Sequence, residues 1–341
     1  MAKLEPSRTT SITMKDVAKR AGVSQATVSY VINNSAGQNI PRETRERVLS
    51  AVQQLGYRPN GAARNMRTQR SNFVGFITDE IATTPFAGAT IKGAQDAART
   101  HGRILLLVNT EGVPEIENEA IESMLEHRVA GIAYATMFHR PITPPANLAE
   151  VPAVLLDCFS QDPSIASVVP DEVGGGRAAT EVLLKKGHRR IGFINDIEPI
   201  PATLGRLRGY QEALAAHGIA FDPSLVATGP SDSHGGYDTT LALFQQPDRP
   251  TALFCFNDRM AMGAYDALRK LKLSIPQDVA VIGFDNQEII AAALHPGLST
   301  MQLPHYQMGQ WAINYLFAEA LEGKPAVHAV LECPYIERES V

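Results

Sequence analysis

From Ser71 to the end of the chain, apolar runs of about five residues alternate with amphipathic stretches of about ten to eighteen. The apolar runs predict strands over 73–77, 104–108, 131–135, 154–156, 191–194, 252–256 and 279–284. The stretches between them predict helices over 86–100, 115–127, 174–186, 203–217, 235–244 and 258–271. Beyond residue 299 the pattern adds a strand, a helix over 308–321 and a last strand over 327–331. Strands that are apolar on both faces, with helices between them, make parallel sheets covered on both sides. Two such series in one stretch of chain predict two similar doubly wound lobes.

The first 70 residues follow a different rhythm. Over 14–33, Val17, Ala18 and Ala21 recur at helical spacing. Thr13 stands where a helix cap is needed, with Asp16 completing a capping-box pair. Gly22 then breaks the helix, since glycine enters left-handed backbone without steric cost. Ser24 caps a second short helix, whose apolar side is Thr27, Val28, Val31 and Ile32. Gln25, Ala26, Ser29 and Tyr30 fall on its outer side. Two short helices joined by a glycine turn predict a helix-turn-helix, whose second helix fits the DNA major groove. The alternative is a helical hairpin in an ordinary core. A third helix is expected from Pro41, with Val48, Val52 and Leu55 buried and Gly56 as its stop.

Charge separates head from body. Residues 1–70 hold 12 Lys and Arg against 4 Asp and Glu, a net +8, and the remaining residues carry −13. A basic module on an acidic body suits nucleic-acid binding by the head alone. The sequence contains no run of eighteen apolar residues for a spanning helix, and the N-terminus has no apolar signal region. Three distant cysteines offer no metal spacing and suit a reducing, cytoplasmic location. The expected domains are a disordered N-terminus over 1–12, the helix-turn-helix domain over 13–57, a hinge over 58–70, and a ligand-binding and dimerisation body over 71–341.

The stretch 14–33 resembles, position by position, the N-terminal signature of the LacI/GalR transcriptional regulators, D-V-A-x-x-A-G-V-S-x-x-T-V-S-x-V-[IL]-N. Asp16, Val17, Ala18, Ala21, Gly22, Val23, Ser24, Thr27, Val28, Ser29, Val31, Ile32 and Asn33 all match it. The resemblance implies a small all-α head on an α/β body of the periplasmic-binding-protein type, with the chain crossing three times between lobes. The crossings are expected near Pro170, Pro296 and Val330. That gives a first lobe over about 71–169 and 297–329, and a second over about 170–296 and 330–341. It also implies a homodimer on a pseudo-palindromic double-stranded operator. The DNA contacts would come from Thr13, Ser24, Gln25, Ala26, Thr27, Ser29, Tyr30 and Asn33. The segment after Tyr57 resembles the family's hinge, which folds on DNA and presses an apolar wedge into the minor groove. Asn60, Ala63, Arg64, Met66 and Arg67 would act there, with Met66 at the wedge position where leucine is usual.

In doubly wound sheets, ligands collect at the carboxyl ends of strands. Asp79, Asp157, Asn257, Asp258 and Asp285 follow predicted strands, and Arg206 opens a helix after one. Carboxylate, amide and guanidinium groups around one cleft suit a polyhydroxy ligand, and Phe86 could pack on a sugar's apolar face. The family's R-x-x-G-[YF] motif appears as Arg206, Gly209 and Tyr210. Its F-x-x-N-D-x-x-A-x-G motif runs from Phe254 through Asn257, Asp258, Ala261 and Gly263, and its I-G-[FY]-D motif ends on Asp285. The expected effector contacts are Asp79, Phe86, Asp157, Arg206, Asn257 and Asp285. A helix cap is the competing role for Asp79 and Asp258.

Gly174, Gly175 and Gly176 precede a helix, but no Lys-Ser/Thr follows and no G-x-G-x-x-G is present, so a phosphate loop is not indicated. No catalytic constellation, cofactor motif or metal spacing emerges, and no enzyme is expected. The leading reading is a repressor of carbohydrate-use genes released from its operator by a small sugar. Within the same class, the effector could instead be a nucleobase or a phosphoprotein co-regulator. A ligand-binding protein of the periplasmic type without DNA binding is the reading from another class.

Overall fold

A computed structural model describes residues 12–32, 40–57, 71–84, 88–318 and 326–341. The described residues fall into two compact units, up to Arg70 and from Ser71.

In the first unit, helices α1 (Met14–Ala21), α2 (Gln25–Ile32) and α3 (Arg42–Leu55) close around one small core. Val17, Val28, Val31, Val48 and Ala51 fill it, and Tyr57 seals it from beyond α3. The Thr13 backbone N–H donates to Asp16 Oδ2 at 2.9 Å, and the Thr13 hydroxyl donates to the same oxygen at 2.6 Å. These bonds hold the Asp16 carboxyl below its usual range. Ser24 Oγ accepts from the Thr27 N–H at 3.1 Å and so caps α2. Gly22 and Gly56 both end helices with left-handed φ, 69° and 63°.

The second unit contains two six-stranded sheets. The first is ordered β11-β5-β4-β3-β1-β2, and all its pairings are parallel. Its strands are β1 (Phe73–Thr78), β2 (Ile104–Asn109), β3 (Ile132–Pro141), β4 (Ala153–Phe159), β5 (Ala166–Pro170) and β11 (His328–Leu331). The second is ordered β12-β10-β9-β8-β6-β7, parallel except where β12 meets β10. It comprises β6 (Ile191–Asp196), β7 (Val226–Gly229), β8 (Ala252–Cys255), β9 (Ala280–Asp285), β10 (Ser299–Gln302) and β12 (Tyr335–Ile336).

Helices α4 (Gly88–Thr100) and α11 (His305–Leu316) pack on one face of the first sheet, and α5 (Pro114–Glu126) on the other. Strand alternation divides the two cores: Val74, Phe76 and Leu156 face α4 and α11, whereas Ile77 and Leu155 face α5. On the second sheet, α6 (Glu172–Lys185) and α7 (Pro201–Ala216) cover one face. The other face carries α8 (Ser233–Phe244) and α9 (Asp258–Lys270), beside the short α10 (Glu288–Ala291).

Each of these three helix pairs meets through reciprocal glycines. Gly93 lies against the Tyr306 carbonyl and Gly309 against that of Thr90. Gly236 lies against Met260 and Gly263 against Ser233, while Gly176 lies on the Arg206 backbone and Gly209 on the Val173 carbonyl and Arg177 N–H. The run Gly174–Gly176 is therefore a packing surface of α6, since Gly175 also admits the Phe284 ring.

The crossings depart from the sequence expectation in one place. Residues 299–302, expected in the first lobe, pair with β9 in the second sheet, so the crossing follows Gln302 rather than Pro296. Pro296 and Gly297 form a turn inside the second lobe, and Leu298 is buried in its core. The third crossing follows Leu331, because Val330 still pairs with Val169. The Asp171 N–H donates to the Leu331 carbonyl at 2.8 Å, and that of Gln302 to Pro334 at 2.8 Å. Strands β5, β7 and β12, short edge or near-edge segments, were not expected from the sequence.

The glycine contacts give a test. Helix propensity favours Gly209→Ala by about 1 kcal/mol. A Cβ there would strike backbone atoms of α6, which cannot rotate away, and overpacking costs about 1–3 kcal/mol. We expect net destabilisation, read as a lower urea midpoint at unchanged slope.

Candidate functional site

In the first unit, α2 carries its N-terminus outward. Gln25 and Ala26 are exposed, and Tyr30 is 38% exposed. Ser24 and Thr27 share a hydroxyl contact of 3.0 Å, so both belong to the cap that orients the helix. Thr13 is exposed at the start of α1, with its hydroxyl bound to Asp16. Ser29 is partly buried. Exposed side chains at the start of such a helix can reach base edges in a major groove.

In the second unit, a cavity of about 500 Å³ opens between the two sheets, at the carboxyl ends of their strands. Its centre is Arg206, 3% exposed. The Nε of Arg206 donates to Glu172 Oε2 at 2.7 Å, and Nη1 donates to the Phe256 carbonyl at 2.5 Å. Asp285 Oδ1 lies 3.7 Å from Nη1. The guanidinium stacks 3.7 Å from the Phe284 ring centre and 4.5 Å from that of Phe256. Burial works against its charge, but Glu172 and Asp285 outweigh burial and hold it cationic. Among the described residues, Nη2 has no protein acceptor.

Asp157 faces this cavity from the first lobe. It is 5% exposed, and its Oδ1 has no hydrogen-bond partner among the described residues. Burial, and then the charge of Glu172, push its carboxyl well above the usual range. His139, also lining the cavity, has an unpartnered Nδ1, and burial holds its imidazole neutral. His305 is likewise pushed down, to about 4, by burial and the nearby Arg206. Asp157 and Asp285 both stand on left-handed backbone, at φ 55° and 101°. Such conformations cost about 1–3 kcal/mol each and concentrate at functional sites.

Two family models match the chain. "Bacterial regulatory proteins, lacI family" matches residues 13–60, and "Periplasmic binding protein-like domain" matches residues 162–341. The ribose operon repressor of Escherichia coli is 34% identical over 307 residues, covering 89% of this chain and 92% of that one. The chain belongs to the LacI family of bacterial regulatory proteins. The transcriptional regulator GalR of Salmonella typhimurium is 35% identical over 337 residues, 96% of each chain. Among solved structures, the lac repressor dimer bound to operator and an anti-inducer is 25% identical with a TM-score of 0.78, covering 97% of this chain and 99% of that one. A CelR–cellobiose complex is 30% identical with a TM-score of 0.67, covering 97% of this chain and 100% of that one.

Members of this family are transcription regulators built from a DNA-binding head and a ligand-responsive body of two parallel-sheet lobes. In this member the cavity gathers Asp157, Arg206, Asn257 and Asp285 from the expected contacts. Asn257 also caps α9, accepting from the Met260 N–H at 2.8 Å and donating to the Ser231 carbonyl at 3.0 Å. Asp79 is not among the lining residues. Its carboxylate is held by Arg140 at 2.8 Å and by the Glu80 N–H at 2.6 Å, so it braces the loop after β1. Asp258 is buried as a cap-like acceptor from the Thr300 hydroxyl and the Gln287 N–H. Phe86, Asn33, Asn60, Ala63, Arg64, Met66 and Arg67 lie outside the described residues, as do the N-terminal segment, the hinge and the end of the helix expected over 308–321.

Several lining residues were missed. Glu172 follows β5, a strand not assigned from sequence; recognising it would have placed a carboxylate at its end. Asp196 closes β6 two residues after its expected end. His139 and the exposed ring of Phe138 lie on the part of β3 beyond Ala135. Among the described residues, no helix is long and apolar enough to cross a membrane, and no group of three or more His, Cys, Asp or Glu could hold a metal ion.

Burial pushes the Asp285 carboxyl up to about 6, against the pull of Arg206. Between about pH 4 and 6 the folded protein keeps a proton there that the unfolded chain has released. Its stabilising contribution is therefore full at low pH and lost as pH rises through 6. Relative to Asp285→Asn, the parent should lose unfolding free energy across that window. Parallel urea titrations at pH 4.5 and 7 check this; equal differences at both would refute it.

Proposed function

We propose that this LacI-family member is a homodimeric repressor, cytoplasmic and without a catalytic step, that binds a pseudo-palindromic operator and leaves it when a small sugar enters the inter-lobe cleft. One observation carries the reading: the same chain bears an outward-facing recognition helix and, in its body, a cavity between the two sheets with a buried guanidinium and an orphaned carboxyl. The ribose and galactose names of its relatives, and the cellobiose in one structural neighbour, support a sugar as the effector class.

On this reading Gln25 pairs with an adenine edge, Ala26 touches a thymine methyl, and Tyr30 sits beside them, with Thr13, Ser24, Thr27, Ser29 and Asn33 orienting the helix. Asn60, Ala63, Arg64, Met66 and Arg67 supply the hinge, with Met66 as a minor-groove wedge and the arginines on phosphates. The hinge spans 58–70, between a head over 13–57 and a body over 71–341. Asp157, Arg206, Asn257 and Asp285 hold ligand hydroxyls, and Phe86 or Phe138 packs against the ring. A ligand that prefers one arrangement of the lobes shifts the dimer toward the state with weaker operator affinity.

Two measurements test the proposal. In a selection from random duplexes, the parent should recover a two-fold site, and Gln25→Ala should lose about 1–3 kcal/mol of preference at one base pair per half-site. An unchanged motif would sink that assignment. In thermal-shift screening of the full chain, a sugar at about a hundred times its Kd should add about 2.7 kcal/mol of stability. A shift with purines alone would favour the nucleobase alternative.

A further inference from the structure

We propose that the cleft takes a sugar in its unphosphorylated, non-anionic form, so that the protein senses the compound upstream of any phosphoryl-transfer step that consumes it. The inference rests on the preceding reading of the cleft as a polyol site and adds its charge selectivity.

The lining is acidic. Glu80, Asp157, Glu172, Asp196, Glu198 and Asp285 contribute carboxyl groups, against the guanidiniums of Arg206 and Arg259. The Arg206 charge is already spent, 2.7 Å from Glu172 and 3.7 Å from Asp285. The two lining imidazoles, His139 and His305, are held neutral by burial. Glu80 and Glu198 stand exposed at the mouth and make no ion pair with a described residue, so an entering dianion meets repulsion before it meets a donor.

Helix N-termini are the usual remedy for anions, and two beside this cavity are capped within the protein. Asp171 accepts from the Gly174 N–H at 2.7 Å at the start of α6, whose first residue is Glu172. Asn257 accepts from the Met260 N–H at the start of α9. Helix α7 begins with Pro201, which removes one of the donors its first turn would otherwise present.

A second, independent observation points to what does bind. Asp157 is 5% exposed, and its Oδ1 is left without a partner in the cavity wall. A carboxyl held above its usual range by burial has both a donor and an acceptor role, and a sugar hydroxyl, itself donor and acceptor, satisfies it in either protonation state. An ionised phosphate oxygen or sugar carboxylate can only accept, and the surrounding carboxyl groups repel it.

The test is calorimetric titration of the full chain with matched compounds: D-ribose and D-ribose 5-phosphate, D-glucose with D-glucosamine and D-glucose 6-phosphate, D-galactose and D-galacturonate. In every set that shows binding, the unmodified sugar or the amine should bind at least about tenfold more tightly than the anion, the size of one charge contact at intermediate dielectric. Glu198→Gln should narrow that gap by raising affinity for the anion. A phosphate or carboxylate member that binds as tightly as its parent, or a gap that Glu198→Gln leaves unchanged, overturns the proposal while leaving a sugar effector standing. Binding by adenine or guanine with no sugar response at about 10 mM overturns the polyol reading itself, and the inference with it.

Discussion

The second lobe depends on one buried cation. Removing a guanidinium from water is costly unless opposite charge and hydrogen bonds replace the solvent. Arg206 has both: Glu172 on one side, the Phe256 carbonyl and Asp285 on another, and the rings of Phe284 and Phe256 against its faces. These groups come from the start of α6, the end of β8 and the end of β9. The residue therefore ties together the helix pair and two central strands at the edge of the cleft. Deleting either charge would strand its partner, so Arg206 and Glu172 form one unit and neither can be varied alone at small cost.

That arrangement needs backbone proximity as well as charge. The Arg206 main chain can sit on α6 only because residue 176 has no side chain, and Gly209 repeats the condition one turn later. The same reciprocal contact recurs between α4 and α11 and between α8 and α9. Each lobe is thus held by close backbone packing between its helices. Two of the carboxyl groups that face the cleft, Asp157 and Asp285, stand on left-handed backbone at strand ends, where the packed lobes can hold conformations that a looser scaffold would relax.

Much of this was legible in the sequence because the signals were local. The capping pair Thr13 and Asp16, the glycine turn at Gly22 and the spacing of Val17, Val28 and Val31 needed only neighbouring residues to specify the head. The central strands of both sheets are buried on both faces and read as unbroken apolar runs. The short peripheral strands β5, β7 and β12 do not, since partial exposure dilutes their pattern, and losing β5 also hid Glu172. Strand ends were a good guide for Asp157 and Asp285 but poor for Asp79, whose fate is set by Arg140, 61 positions away. Long-range pairing of this kind leaves no trace in spacing. The misplaced crossing at Pro296 has a similar origin: proline and glycine mark a turn, but which sheet receives the next strand depends on its tertiary partners.

The acidic excess of the body, −13 against +8 in the first 70 residues, gives head and cleft a common logic. A DNA duplex is a dense polyanion whose attraction is summed over phosphates. A net positive charge in the head alone makes that segment the one the duplex favours, while the net negative body repels it over roughly the 8 Å screening length of physiological salt. The same excess continues into the cavity, where Arg206 is balanced within the protein and offers donors but little net charge to a ligand. Affinity there must come from hydroxyl hydrogen bonds and ring packing, both nearly independent of salt, whereas operator affinity is strongly salt-dependent. Ionic strength therefore separates the two functions of the chain: raising it should weaken the grip on DNA while leaving occupancy of the cleft almost unchanged.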